Sequence, residues 1–393
     1  MPMSCVELFT GCGGLAMGVS RAGFKTLRLS EWDGPSVVNV GHNKRRRIKY
    51  VKDWPIHQED VRSVAWEDYA GIDLVAGGVP CQPFSIGGLH RGHEDERDMW
   101  PEADRAVRLI RPAGFIWENV RGLTRVAFAD YLRWILLALA MPDIEKGDKE
   151  DRAKHLKRLE AALKRDEATY DVVLHSVDAA NYGAAQRRHR VVILGLNREL
   201  GATLPELPKT HSRERLLWDQ WVTFEYWGRH GIKAPKQGPD KMDVAAVRRL
   251  RDLGEVPKGL PWRTVRDAIA GLGDPEKGCD IPNHVFQPGA RSYPGHTGSP
   301  LDMPAKALKA GVHGVPGGEN MMVKDDGSIR YFTVREAARL QGMPDEYEFV
   351  GAWSENMRQL GNAVPVQLAE YVGCAMRDAI EIARKPRRRK AAA

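Results

Sequence analysis

Short, nearly unbroken apolar runs alternate with stretches of helical period through the first half of the chain. Residues 5–9, 27–30, 72–76 and 114–117 read as strands, and 170–177 with 191–196 as a strand pair. Between them, residues 15–22, 102–110 and 131–140 carry apolar side chains at helical spacing. Strands alternating with helices predict an α/β fold, one sheet with helices on both faces. Residues 142–168 are densely charged and read as an exposed helical insertion. After Asn197 the periodicity weakens, Pro and Gly become frequent, and Trp218, Trp221, Tyr226 and Trp227 appear. That change predicts a second, irregular domain over 197–350. From Asn356 a glycine loop and an amphipathic helix over 366–383 resume the earlier style. Thr264 and Thr333 each precede an acid by three residues, so each reads as a helix N-cap with a capping-box acid.

Composition narrows the class. At 393 residues and 42% hydrophobic, the chain can bury a large core and a smaller one. No apolar run reaches the roughly 18 residues of a membrane span, and the first residues lack the pattern of a secretory signal. Five cysteines, an odd number with no CxxC pair, argue against a disulfide framework or a zinc site and suit a reducing cytosol. The net charge of +7 favours a polyanionic partner. Lys44-Arg45-Arg46-Arg47, Gln186-Arg187-Arg188-His189-Arg190 and the tail from Arg384 to Lys390 are candidate phosphate contacts, or else solvated faces.

The candidate chemistry starts at Pro80-Cys81-Gln82. Here one thiol follows a buried strand and is framed by glycines and by prolines at 80 and 83, as a presented nucleophile would be. Phe9-Thr10-Gly11-Cys12-Gly13-Gly14 follows a strand and opens a helix, where bare backbone admits a ligand. Glu31, about 20 residues on, ends the next strand, the place of a ribose-binding carboxylate. The G-x-G-G spacing fits a nicotinamide dinucleotide poorly. Asp60 ends a third strand and is either an adenine partner or a turn residue. Glu118, in Trp117-Glu118-Asn119-Val120, is a proton donor at a strand end or an ordinary ion-pair partner. Together these parts suit one reaction: a thiolate adds to C6 of a cytosine, an acid engages N3, and C5 takes a methyl group from a sulfonium donor.

Read in order, the motifs resemble those of the DNA (cytosine-5)-methyltransferases. The resemblance runs through the glycine loop, Glu31-Trp32-Asp33, Asp60, Pro80-Cys81-Gln82, Glu118-Asn119-Val120 and Gln186–Arg190. It continues through Arg330–Glu336, Leu340-Gln341-Gly342-Met343-Pro344 and Gly361-Asn362-Ala363-Val364-Pro365. It covers most of residues 4–196 and 328–372. It implies a Rossmann-like S-adenosylmethionine-dependent domain over 1–196, a smaller target-recognition domain over 197–350, and a C-terminal helix within 351–393 that returns to the first. It further implies Cys81 as nucleophile, Glu118 as the acid holding the cytosine, and Arg188 and Arg190 near the flipped base and its phosphate. Phe9, Gly11, Gly13, Gly14, Glu31, Trp32, Asp60, Pro80, Met99, Asn362 and Val364 would line the S-adenosylmethionine pocket. Gln82, Ser85, Gln186, Arg187, Arg188 and Arg190 would touch nucleic acid, and no metal is implied. The expected partner is double-stranded DNA, joined by a cognate restriction endonuclease if the enzyme belongs to a restriction–modification system rather than acting as an orphan, for a monomeric protein of the bacterial cytoplasm. Base readout would fall to residues of 197–328, with Arg213, Arg215, Arg229, Lys233, Lys236 and Gln237 as candidates. An RNA cytosine-5 methyltransferase and a catalytically silent DNA-binding regulator are the alternatives. The long variable segment disfavours the first, and the complete set of motifs disfavours the second.

Overall fold

The computed structural model describes residues 2–80, 98–294, 296–310 and 318–385. In chain order the first elements are β1 (Ser4–Leu8), α1 (Gly14–Arg21), β2 (Lys25–Glu31), α2 (Gly34–Arg45), β3 (Ile56–Gln58), β4 (Leu74–Gly78), α3 (Trp100–Ile110), β5 (Gly114–Val120), α4 (Ala129–Ala140), α5 (Arg152–Lys164), β6 (Tyr170–Asp178), β7 (Gln186–Arg187) and β8 (His189–Asn197). The chain divides into two compact units. The first is built from the described residues of Met1–Val177, His189–Leu207 and Ala369–Ala393, the second from those of Asp178–Arg188 and Pro208–Leu368.

A sheet in the order β3-β2-β1-β4-β5-β8-β6 forms the first unit's centre. Strands β1 to β5 run parallel, and β8 lies antiparallel to β5. Central strands covered on both faces read as apolar runs, and Leu74, Val75 and Ala76 of β4 are fully buried. Helix α3 turns Ala103, Ala106, Val107 and Ile110 onto the sheet residues Val75, Phe115 and Trp117. The last helix, α12 (Val366–Arg384), crosses α1 where both backbones are bare. A Cβ on Gly18 would stand 2.3 Å from that of Ala369, and one on Gly373 would stand 2.9 Å from that of Ala22. Glycine at these two positions is what lets the backbones of α1 and α12 come together.

The charged segment contains α5, N-capped by Asp151, whose carboxylate accepts from the Lys154 N–H at 2.7 Å. It is not wholly exposed, because His155, Leu159 and Ala162 are buried.

The second unit continues with β9 (His211–Ser212), α6 (Arg213–Trp221), α7 (Glu225–Arg229), α8 (Val244–Leu253), β10 (Leu260–Pro261), α9 (Val265–Ile269), β11 (Ser299–Pro300), β12 (Ala305–Lys306), β13 (Met321–Val323), β14 (Ile329–Tyr331), α10 (Val334–Leu340) and α11 (Trp353–Asn362). Its aromatic core gathers Trp218, Trp221, Tyr226, Trp227 and Trp262 around Leu216, Leu217, Val247 and Leu250. The Trp227 indole N–H donates to the Gln220 carbonyl at 2.6 Å. Both anticipated capping boxes are present, Thr264 with Asp267 and Thr333 with Glu336.

Two sequence expectations need correction. Asn356 does not open a glycine loop, because residues 353–362 are helical. Gly361 is small for packing, since a Cβ there would come within 2.3 Å of the Ala310 main-chain nitrogen. The unit boundaries also differ from 196 and 350. Residues 178–188 join the second unit because β7 pairs with β12, and that unit runs to Leu368.

Candidate active site

In an open parallel sheet, ligands gather beyond the carboxyl ends of the strands, where the strand order reverses. Here the order turns at β1 and β4, and the predicted groups of the first unit follow those strand ends. The glycine loop follows β1, Glu31 ends β2, Asp60 follows β3, Pro80 follows β4, and Glu118 lies near the end of β5. Because β8 is antiparallel, Arg190 near its start pairs with Val120 and reaches the same edge.

The loop after β1 is held in left-handed backbone at Phe9 (φ 58°), Gly11 (φ 57°) and Gly13 (φ 85°). Glu31 clamps it. One carboxylate oxygen accepts the Gly11 N–H at 2.6 Å, and the other accepts the Asp33 N–H at 2.7 Å. Burial nonetheless pushes the Glu31 carboxyl above its usual range. A Cβ on Gly13 would strike the Trp54 ring at 2.7 Å, whereas one on Gly11 would meet nothing within 4 Å. The loop is therefore packed from behind at Gly13 and open at Gly11. Trp32 beside it is 69% exposed, unusual for so large an apolar ring. Asp60 caps the turn at 61–63 and takes a fork from the Arg62 guanidinium at 2.6–3.0 Å, which holds its carboxyl below the usual value.

Glu118 and Arg190 form the central charged pair, with Nε 2.6 Å from Oε1 and both side chains largely buried. A guanidinium so placed fixes the carboxyl group's direction. Next to it, buried Asn119 donates from Nδ2 to the Val79 carbonyl at 3.1 Å, so the end of β5 is tied to the residue before Pro80. The sequence reading passed over Asn119. Its signal was a polar amide at the end of an apolar strand, beside the carboxylate that drew attention. Pro80 and Met99 are half-buried, Met99 directly before α3. Cys81, Gln82 and Ser85 lie outside the described residues.

Other predicted residues belong to the second unit. The Arg188 guanidinium is buried and donates to the carbonyls of Leu308 (2.9 Å) and Gly361 (2.7 Å). Gln186 exchanges bonds with Leu340 and Leu308 at 3.2 and 3.3 Å. Arg187 pairs with Asp178 and lies over the Trp262 ring at 4.6 Å. Asn362 is exposed at the end of α11, and Val364 is buried. Among the base-reading candidates, Arg213, Arg215 and Arg229 pair with Asp243, Asp219 and Asp267. Lys233, Lys236 and Gln237 are exposed.

The model of the C-5 cytosine-specific DNA methylases matches residues 3–141, 148–224 and 293–378. The chain belongs to this family. Of the charged stretch, the match omits only 142–147, and within the second unit it omits 225–292. Type II methyltransferase M.NgoMIV of Neisseria gonorrhoeae is 28% identical over 95% of this chain and 96% of its own length. M.Eco47II of Escherichia coli is 28% identical over 94% of this chain and 77% of its own. A DNA modification methyltransferase from an E. coli prophage superposes with a TM-score of 0.56 at 20% identity, covering 96% of this chain and 99% of that one. S. pombe Dnmt2 methyltransferase gives 0.54 at 15% identity, covering 96% and 98%. The methylase is thus an α/β methyltransferase by fold as well as by sequence. No helix among its described residues is long and apolar enough to cross a membrane.

Proposed function

We propose that this methylase transfers a methyl group from S-adenosylmethionine to C5 of a cytosine flipped out of a specific duplex DNA sequence, through a covalent bond from Cys81 to C6. The observation that carries the reading is the buried Glu118–Arg190 pair at the carboxyl edge of the sheet, one strand from the strand that leads to Cys81. The loop residues suit the cofactor. Open space at Gly11, a clamped Glu31 and an exposed Trp32 face fit a nucleoside with a ribose and an aromatic base. When bound, S-adenosylmethionine supplies an electrophilic methyl group.

The protein's own part is as follows. The Cys81 thiolate forms the bond to C6, and the C5–C6 π electrons make C5 nucleophilic. The Glu118 carboxyl group, oriented by Arg190, gives its proton to N3 as the thiolate adds to C6 and takes it back when the thiolate leaves. After C5 is alkylated, a base removes its proton, the C5–C6 double bond re-forms, and the thiolate leaves C6. Flipping is needed because C6 is covered within the stack. Phe9, Gly13, Gly14, Asp60, Pro80, Met99, Asn362 and Val364 complete the cofactor contacts. Gln82, Ser85, Arg187 and Arg190 complete those to DNA, whereas the expected contacts of Gln186 and Arg188 give way to their buried bonds to main chain. The second unit reads the target sequence, and Lys233, Lys236 and Gln237 are its freest candidates. The Type II names of the relatives support a restriction–modification role; in that role an endonuclease would act on the same site, and the methylase would work as a monomer inside a bacterial cell.

Bisulfite sequencing of unmethylated phage DNA treated with the protein and S-adenosylmethionine tests the proposal. Cytosines protected within one short sequence are expected. Protection should vanish with Cys81→Ala and fall at least about a hundredfold in rate with Glu118→Gln, the lower range for a lost proton-transfer group. Undiminished protection with Cys81→Ala would overturn the mechanism.

A further inference from the structure

Helix α8 in the second unit turns one fixed face inward and one open face outward. On the inner face Val247 and Leu250 are buried in the aromatic core. Asp243 at the helix start pairs with Arg213, and Arg251 near its end donates to the Trp221 carbonyl at 2.7 Å. Gly254, in left-handed backbone at φ 64°, stops the helix. At 3.6 residues per turn, Val244 and Arg248 form one outer stripe, with Ala245 and Arg249 beside it. All four of these residues are exposed.

The charges on the open face are unspent. Among the described residues, neither Arg248 nor Arg249 has an ion-pair or hydrogen-bond partner, although Asp252 follows Arg248 by four positions. Elsewhere in the unit, Arg213, Arg215, Arg229 and Arg266 each hold an aspartate. Lys233, Lys236 and Gln237 are exposed too, but they lie in the irregular chain between α7 and α8. A helix packed on a core holds its side chains in a set direction, which loop residues do not match. The major groove admits a helix, and a guanidinium there can donate twice to O6 and N7 of a guanine. Val244 and Ala245 are short, so they let the helix backbone come close and offer apolar contact to a thymine methyl group. Helix α8 also lies wholly within 225–292, which the family match omits. A reader of one particular sequence belongs where members of the family need not agree.

We propose that Arg248 and Arg249 of α8 are specificity-determining residues, which read guanine edges in the major groove of the target sequence. The proposal rests on the second unit reading the target of a DNA methyltransferase, and it names α8 as the element that does so.

The test uses the full chain, S-adenosylmethionine with a tritiated methyl group, and short duplexes. One duplex carries the target sequence found by bisulfite sequencing, and in the others each of its base pairs is changed in turn. Arg248→Ala and Arg249→Ala should each lower kcat/KM on the target about 5- to 150-fold. On the duplex altered at the G·C pair that the arginine reads, the variant and the parent should agree within about twofold. Preference is then lost at that pair and kept at the others. Arg165→Ala, which removes one exposed charge just after α5, should leave the whole profile unchanged. Preference kept at every position by both α8 variants would overturn the proposal. So would an equal loss on every duplex, the mark of a phosphate contact, or a loss that follows a lowered melting temperature. The same holds if Arg165→Ala flattens the profile as much. A parent protein that methylates no duplex would instead overturn the proposed function, and this proposal would fall with it.

Discussion

The two units of this methylase satisfy their buried main chain in opposite ways. In the first, the sheet pairs strand with strand, and the interior is filled by side chains such as Val75, Phe115 and Ile193. In the second, strands are two or three residues long, and buried polar side chains take over the main chain's hydrogen bonds. Arg188 serves Leu308 and Gly361, Gln341 serves Leu360, Asn320 serves Lys309, and Arg335 serves three carbonyls. Every buried N–H and C=O needs a partner, and where ladders are short the partner must be a side chain. The comparison teaches that a buried arginine means different things in the two settings. Arg190, in the sheet unit, faces a carboxylate at the candidate site, whereas Arg188, two residues earlier, works as internal scaffolding.

The sharpest way to break the first unit is therefore by volume. In β8, Gly195 stands opposite Phe115 of β5, and a Cβ there would lie 2.0 Å from the Phe115 ring. Phe115 is fully buried and cannot step aside. Gly195→Ala should destabilise the protein by about 3 kcal/mol or more, read from the denaturation midpoint. A change below about 1 kcal/mol would show that the sheet core is looser than its packing implies.

The second unit should break by polarity instead. Arg335 is fully buried and donates to Pro282 (3.1 Å), Pro344 (3.3 Å) and Tyr347 (3.0 Å). Arg335→Met keeps much of the volume and strands three carbonyls, each costing about 1 kcal/mol, so a loss of roughly 2–3 kcal/mol is expected in the melting curve. A neutral result would mean that volume, not hydrogen bonding, governs this unit too.

The same difference decides what could be read from the sequence. Strands such as 72–76 and 114–117 were legible because a buried strand is an unbroken apolar run, and the strand-end groups followed from it. The Glu118–Arg190 pair was half legible: both residues stood in motifs, but no spacing says that an antiparallel β8 brings them together. The second unit hid its core. Arg213, Arg215 and Arg229 read as DNA contacts because a charge spent on an internal aspartate looks, in sequence, like one left for a partner. The capping boxes of Thr264 and Thr333 were exceptions, since both partners lie within one helical turn and the spacing carries the geometry.

Asp104 sharpens the comparison from the other side, as a polar group that the first unit leaves poorly served. It lies on α3, and its Oδ1 is buried with no hydrogen-bond partner. Burial pushes its carboxyl up to about 7, against a smaller opposing pull from Arg108, which itself pairs with Glu145 at 3.0 Å. Below about pH 4 both the folded and unfolded chains keep this proton, and the group costs nothing. Between about pH 4 and 7 the unfolded chain releases the proton while the folded chain holds it, so stability falls as pH rises. Above 7 the full penalty remains. Asp104→Asn removes the titration, and the variant should be more stable than the parent by roughly 1–3 kcal/mol at pH 8, with the gain vanishing near pH 4. Denaturant titrations at the two pH values measure this directly. An Asn variant no more stable than the parent at pH 8 would mean that Asp104 is ionised and well paired, and that the first unit, like the second, keeps its buried polar groups served.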